Sequence, residues 1–164
     1  MKERWHPIEE FQGYLVSDQG FIYSEKTTQQ LLMSQNLSGI VKVNLMKNGQ
    51  IHTRSVKVLV ASEFVPLPPG GGFTPINLDG DQTNNHYLNL TWRPRWFAWK
   101  YTRQFNEPIP VEYNIRILNE QTGVVYDTVM AAGIDEGVLW EYIYQSLLSD
   151  RPVFPTGATY TMDF

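Results

Sequence analysis

The chain has 164 residues, 42% of them hydrophobic and 13% aromatic, with no cysteine and a formal net charge of −4. That length and apolar content suit one or two small domains with real cores, and the missing cysteines exclude a disulfide framework and thiolate zinc sites, so a metal would need oxygen ligands or imidazole from His6, His52 or His86. No apolar run approaches the length of a membrane span, and Met1-Lys2-Glu3-Arg4 is charged where a secretory leader would be apolar, so a folded cytosolic protein with no membrane partner is expected.

In chain order, Trp5-His6-Pro7-Ile8 and then Phe11–Ser24 alternate apolar and polar residues around Ser17-Asp18-Gln19-Gly20, which predicts a β-hairpin. A second hairpin is expected from Ile40–Met46 and Ile51–Val56, joined through Lys47-Asn48-Gly49-Gln50, because Asn-Gly suits a turn with two positive φ angles. Apolar residues at 56, 59, 60 and 64 predict a helix over Val56–Phe64, and the run containing Pro66, Pro68, Pro69 and Gly70–Gly72 marks a boundary. The polar stretch 74–90 reads as a loop-rich segment. Residues 91–103 then combine Arg93, Arg95, Lys100 and Arg103 with Trp92, Trp96, Phe97, Trp99 and Tyr101 in an expected helix, with Pro94 in its first turn. After a linker over Phe105–Pro110, a strand is expected at Val111–Asn119, a turn at Glu120–Gly123 and a partner strand at Val124–Tyr126. A short helix over Asp127–Ile134 follows, capped by Asp127 or Thr128. A second helix over Glu136–Leu148 and a closing strand over Ala158–Met162 complete the chain.

Charge is unevenly spread. Residues 1–90 carry 7 basic and 8 acidic side chains, residues 91–103 carry 4 and 0, and residues 104–164 carry 2 and 9. The net value is unusual for a protein that neutralises phosphates, but the +4 segment is a local footprint where such contacts would centre.

Trp5, Ile8, Gly13, Tyr14, Val16, Ser17, Gly20, Ile22, Ser24, Gly39, Val43, Leu45, Gly49, Val56, Leu59, Val60, Ala61, Phe64, Val65 and Pro66 fall in order on the pattern of the small β-rich module that precedes the catalytic core of phage and intron HNH homing endonucleases. Lys57 stands where that pattern carries histidine. The following stretch, Thr74–Trp92, resembles the HNH motif itself through Asp79, Gly80, Asn84, Asn85, Asn89, Leu90 and Trp92. In that family a carboxylate or amide and a helix residue hold a divalent cation while a histidine deprotonates water. Here Ile76 takes the first ligand position, Asn77 the position of the base and Ala98 that of the helix ligand. A hydrocarbon cannot ligate a hard cation and a carboxamide has no useful basicity. The resemblance thus implies a ββα-metal scaffold with no catalytic residue expected, in which Asp79, Gly80, Asn84, Asn85 and Asn89 structure the loop. A weaker alternative is a relocated cation site from Asp79, Asp81 and His86.

Thr122, Gly123, Val125, Tyr126, Ala131, Ala132, Gly133, Ile134 and Gly157 resemble the helix-turn-helix repeat appended to many such endonucleases. The departure is electrostatic, since residues 135–148 hold Asp135, Glu136 and Glu141 and no basic residue, which suits a protein surface better than phosphates. The implied architecture is α+β: a nuclease-associated β-hairpin module over 1–66, a degenerate HNH ββα core over 67–104, and a small β-α-α-β helix-turn-helix-like unit over 110–164. The implied setting is the cytoplasm of an infected bacterium, or the virion. Three functions stay open. The first is a non-cutting binder of double-stranded DNA through Arg93, Arg95, Lys100 and Arg103, needing no cofactor. The second is a component repurposed to bind a phage or host protein through the acidic last third, with Trp and Tyr as anchors. The third is a nicking endonuclease, the one case that requires Mg²⁺ or Mn²⁺.

Overall fold

A computed structural model describes residues 2–107 and 115–164. The described residues form a mixed α+β fold of several small antiparallel sheets and four α-helices, and the chain divides into two compact units, Met1–Arg95 and Trp96–Phe164.

In the first unit, β1 (Trp5–Pro7), β2 (Tyr14–Ser17), β3 (Ile22–Ser24) and β4 (Gln29–Gln30) form a four-stranded sheet in that order. The turn between β2 and β3 follows from side-chain chemistry. Ser17 Oγ accepts from the Gln19 and Phe21 amides (3.3 and 3.0 Å), Gly20 has φ +94°, and a Cβ added at Gly20 would lie 3.1 Å from that of Asn85. A second sheet joins β5 (Ser34–Gln35), β6 (Val41–Lys47) and β7 (Gln50–Ser55), with Lys47 paired to Gln50. Only Asn48 and Gly49 lie between them, at φ 53° and 75°, as a two-residue turn matched to strand twist requires.

Helix α1 (Val56–Phe64) has the bounds that the apolar spacing predicts. It ends because Val65 precedes Pro66 and takes the extended conformation that a following proline favours. Strands β8 (Phe73–Asn77) and β9 (Leu90–Pro94) form a two-stranded sheet, connected by a loop whose last turn is a 3-10 helix at Tyr87–Asn89. Val16, Ile22, Val43, Leu45, Val60 and Trp92 belong to one buried cluster, and Trp92 Nε1 donates to the Val65 carbonyl (3.1 Å). The boundary expected at residue 66 therefore lies inside this unit, because Trp92 and Leu90 bury themselves against α1 across the Pro/Gly run.

In the second unit, α2 (Arg95–Gln104) buries Phe97, Tyr101 and Gln104. Phe97 packs near Tyr142 and Phe154 (6.5 and 5.6 Å between ring centres), and the Tyr101 hydroxyl donates to the Gly133 carbonyl (3.4 Å). One expectation changes here. Residues 91–94 belong to β9, so Pro94 precedes the helix, and the buried side of α2 packs on Tyr142 and Phe154. The segment assigned to 67–104 is accordingly divided after Arg95.

Strands β10 (Ile117–Asn119), β11 (Val125–Tyr126) and β12 (Tyr160–Met162) form a sheet in the order β11-β10-β12. The prolines at 108 and 110 and the first part of the expected strand, residues 111–114, lie outside the described residues. Helix α3 (Val129–Glu136) is capped by Thr128, whose hydroxyl accepts from the Ala131 amide (3.0 Å), and stops at Gly137 in the left-handed region. Helix α4 (Trp140–Ser149) therefore begins four residues later than expected, and Glu136 closes α3. Glu136 is also turned inward: its carboxylate accepts from Asn119 Nδ2 (2.8 Å), from the Tyr126 hydroxyl (3.0 Å) and from the Tyr160 hydroxyl. Asp135 accepts from Tyr126 as well (2.9 Å), so of the three acidic groups within residues 135–148 only Glu141 lies on α4.

Candidate nucleic-acid interface

The loop between β8 and β9 is organised by the side chains of Asp79, Asp81, Asn84 and Asn89. Asn89 Oδ1 accepts from the Asp79 amide (3.1 Å), while its Nδ2 donates to Asp79 Oδ1 (2.9 Å) and to the Asn84 carbonyl (2.8 Å). Asp79 Oδ2 accepts from Asn84 Nδ2 (2.7 Å), and its Oδ1 also accepts from the Asp81 amide (2.9 Å). Gly80, at φ 78°, allows the reversal that sends its own amide to the Asn77 carbonyl (3.0 Å). Asp81 accepts from the amide and hydroxyl of Thr83 (2.8 and 2.7 Å), and these bonds hold its carboxyl below the usual range.

Asn77 sits at the end of β8 and is 1% exposed. Its Nδ2 donates to the Asn84 carbonyl (2.8 Å) and to Asn85 Oδ1 (3.1 Å), and its Oδ1 accepts from Lys57 Nζ at 3.4 Å. Lys57, on the first turn of α1, donates to Gln82 Oε1 (2.8 Å) as well. Burial lowers the pKa of this ammonium from its ordinary value. Neither Lys57 nor Gln82 was expected at the site. The signal for Lys57 was its place at the histidine of the family pattern; nothing in the sequence singles out Gln82.

These side chains do not fit a divalent cation. Ile76 is 2% exposed and offers hydrocarbon, the Asn77 oxygen faces an ammonium, and the Asp79 oxygens already accept from the loop. Asp79, Asp81 and His86 do not converge, and among the described residues no group of three His, Cys, Asp or Glu side chains is placed to hold a metal. His86 Nδ1 instead accepts from the Leu88 amide (3.2 Å), capping the 3-10 turn, while its ring lies 5.1 Å from that of Tyr87.

The four basic side chains of 91–103 fall on two elements. Arg93, on β9, donates through Nη1 to the Trp92 carbonyl (2.9 Å) and to Thr91 Oγ1 (3.3 Å). Arg95, Lys100 and Arg103 lie on α2, within about 140° of one another at ~100° per residue and away from buried Phe97, Tyr101 and Gln104. Trp96 and Trp99 share their side and are 54% and 61% exposed. Arg103 lies over the Trp99 ring (4.6 Å) and pairs with Glu107 (2.8 Å), and Lys100 lies 5.9 Å from the Trp96 ring centre. One side of α2 is thus cationic and aromatic together. Ala98, on the same helix, presents a methyl group with no donor atom.

The sequence matches no protein-family model and no curated protein. Its structure is similar to a solved structure of the HNH homing endonuclease I-HmuI, described for DNA binding and cleavage, with a TM-score of 0.56 and 22% identity over 98% of both chains. At that identity the likeness concerns the backbone, and it establishes that this chain is built on an HNH homing-endonuclease fold.

Proposed function

We propose that the protein is a DNA-binding relative of HNH homing endonucleases that holds duplex DNA without cutting it. One observation carries this reading: Asn77, which the resemblance of Thr74–Trp92 to the HNH motif aligns with the base, is a buried carboxamide whose nitrogen is committed to Asn84 and Asn85 and whose oxygen faces an ammonium. Such a group neither takes a proton from water nor attracts a cation. DNA binding is supported by the fold and by the cationic, aromatic side of α2, with Arg93 as a further phosphate contact and the α3–α4 segment as a helix-turn-helix-like appendage. Its setting on this reading is a phage-infected bacterial cytoplasm.

The test uses purified protein with supercoiled plasmid and with labelled duplex. No nicked product is expected with Mg²⁺ or Mn²⁺, while the duplex is bound with an affinity that falls steeply with salt and weakens on combined Arg93→Ala and Arg95→Ala substitution. Metal-dependent nicking that disappears on Asp79→Ala would establish the endonuclease instead. A second reading, a component that binds another protein, is favoured by exposed Leu148, Phe154 and Trp96 in the second unit; it predicts no duplex retention at physiological salt.

A further inference from the structure

Lys57 brings a positive charge to the loop between β8 and β9. Its ammonium is half-buried, and its two hydrogen-bond partners, Asn77 Oδ1 and Gln82 Oε1, are neutral carboxamide oxygens. Among the described residues no carboxylate lies within ion-pair distance of it, whereas Arg4, Arg54, Arg103 and Arg116 each have an acidic partner. Taking an ammonium out of water without a counter-ion is unfavourable, and a chain that only needed to fill this space could use methionine or leucine. The unpaired charge is held by folded structure on both sides, with α1 carrying Lys57 and the hydrogen-bonded loop carrying Gln82.

We infer that Lys57 Nζ, with the Gln82 side chain beside it, is a binding subsite for a backbone phosphate of duplex DNA, in which the fixed ammonium supplies the positive charge and no metal is needed. The inference rests on the DNA-binding reading above and adds to it a residue and a mode of contact. Two of the three ammonium hydrogens are committed to amide oxygens, which leaves one for a phosphate oxygen. Such a contact orients the duplex against the loop without reading its sequence.

The experiment measures duplex affinity by fluorescence anisotropy in EDTA, over a series of salt concentrations, for the wild type, Lys57→Met and Lys57→Arg. Neutralising one phosphate contributes about 0.9 to the slope of log affinity against log salt. Lys57→Met is therefore expected to flatten that slope by about one and to bind about fivefold more weakly near ~0.15 M salt, while Lys57→Arg keeps the wild-type slope. Removing an uncompensated half-buried charge offsets the loss of a donor for Asn77 Oδ1 and Gln82 Oε1, so the melting temperature of Lys57→Met should stay close to that of the wild type. If it melts lower, Lys57→Gln takes its place in the same series. Wild-type binding in EDTA with an unchanged slope in the uncharged variant overturns the inference and leaves the DNA-binding reading standing. Absence of wild-type duplex binding overturns both, and binding that needs Mg²⁺ overturns the claim that the ammonium suffices.

Discussion

Replacing Asn77 with alanine tests whether this position is a structural strut, as its contacts indicate. The substitution removes two hydrogen bonds donated by Nδ2, to the Asn84 carbonyl and to Asn85 Oδ1, together with a long contact from Lys57. The Asn84 carbonyl keeps a second donor in Asn89 Nδ2, so it is not orphaned. Asn85 Oδ1 loses the partner it has in Asn77, and Asn85 is 5% exposed. With about 1 kcal/mol for each lost bond and about 1 kcal/mol more for the stranded acceptor, the first unit should lose ~3 kcal/mol. For a unit of that size this corresponds to a fall of about 12–24 °C in its melting temperature. Scanning calorimetry of the whole chain follows the transition directly. A fall of less than about 3 °C would refute the reasoning, since it would mean that the Asn77 amide is not what ties β8 to the loop.

Two further substitutions test charges that the fold has enclosed. At Asp18, burial pushes the carboxyl up, but the side-chain and backbone hydrogen bonds from Arg4 outweigh it and hold the group below the usual range. Its contribution is then complete above the value of an unfolded aspartate, about 4, and is lost as pH falls through the lower folded value, so Asp18→Asn should lower stability at neutral pH and reduce the dependence of the melting temperature on pH below about pH 4. Tyr160 behaves in the opposite sense: burial, then the hydrogen bond to Glu136, raises its hydroxyl far above the ordinary tyrosine value. That contribution is present below about pH 10 and is lost as pH climbs toward the raised folded value, so Tyr160→Phe should cost the second unit about 1–3 kcal/mol at neutral pH and reduce its alkaline destabilisation in pH-dependent melts.

What could be foreseen from sequence depended on how local its cause was. Helix α1 has its predicted bounds because apolar spacing starts it and Pro66 stops it within a few residues. The Asn48-Gly49 turn likewise needs nothing beyond its own φ angles. The start of α4 was misplaced although Gly137 was visible, because Val138 and Leu139 continue a helical spacing that the left-handed glycine interrupts. The division after Arg95 was not visible at all. An aromatic side on α2 can be covered by either neighbour, and only tertiary structure shows Phe97 against Tyr142 and Phe154. At the candidate site, the substitutions at residues 76 and 77 were plain in the motif, but the meeting of Lys57 with Asn77 and Gln82 joins positions 20 and 25 apart in sequence.

The acidic total, finally, is a weak argument against DNA as a partner once the carboxylates are located. Glu136 lies among Asn119 and two tyrosines, Asp163 pairs with Arg116 and Glu107 with Arg103, so part of the negative charge of the second unit is enclosed or locally neutralised. Exposed charges act over a screening length of about 8–10 Å at moderate salt. Among the described residues the Lys57 ammonium has carboxamide oxygens as its direct partners and no carboxylate within ion-pair distance, while Asp79 and Asp81 belong to the same loop as Gln82 and are held by hydrogen bonds within it. The same screening makes the salt slope a better discriminator than affinity alone, because distant acidic groups lower affinity without changing how many phosphates are neutralised.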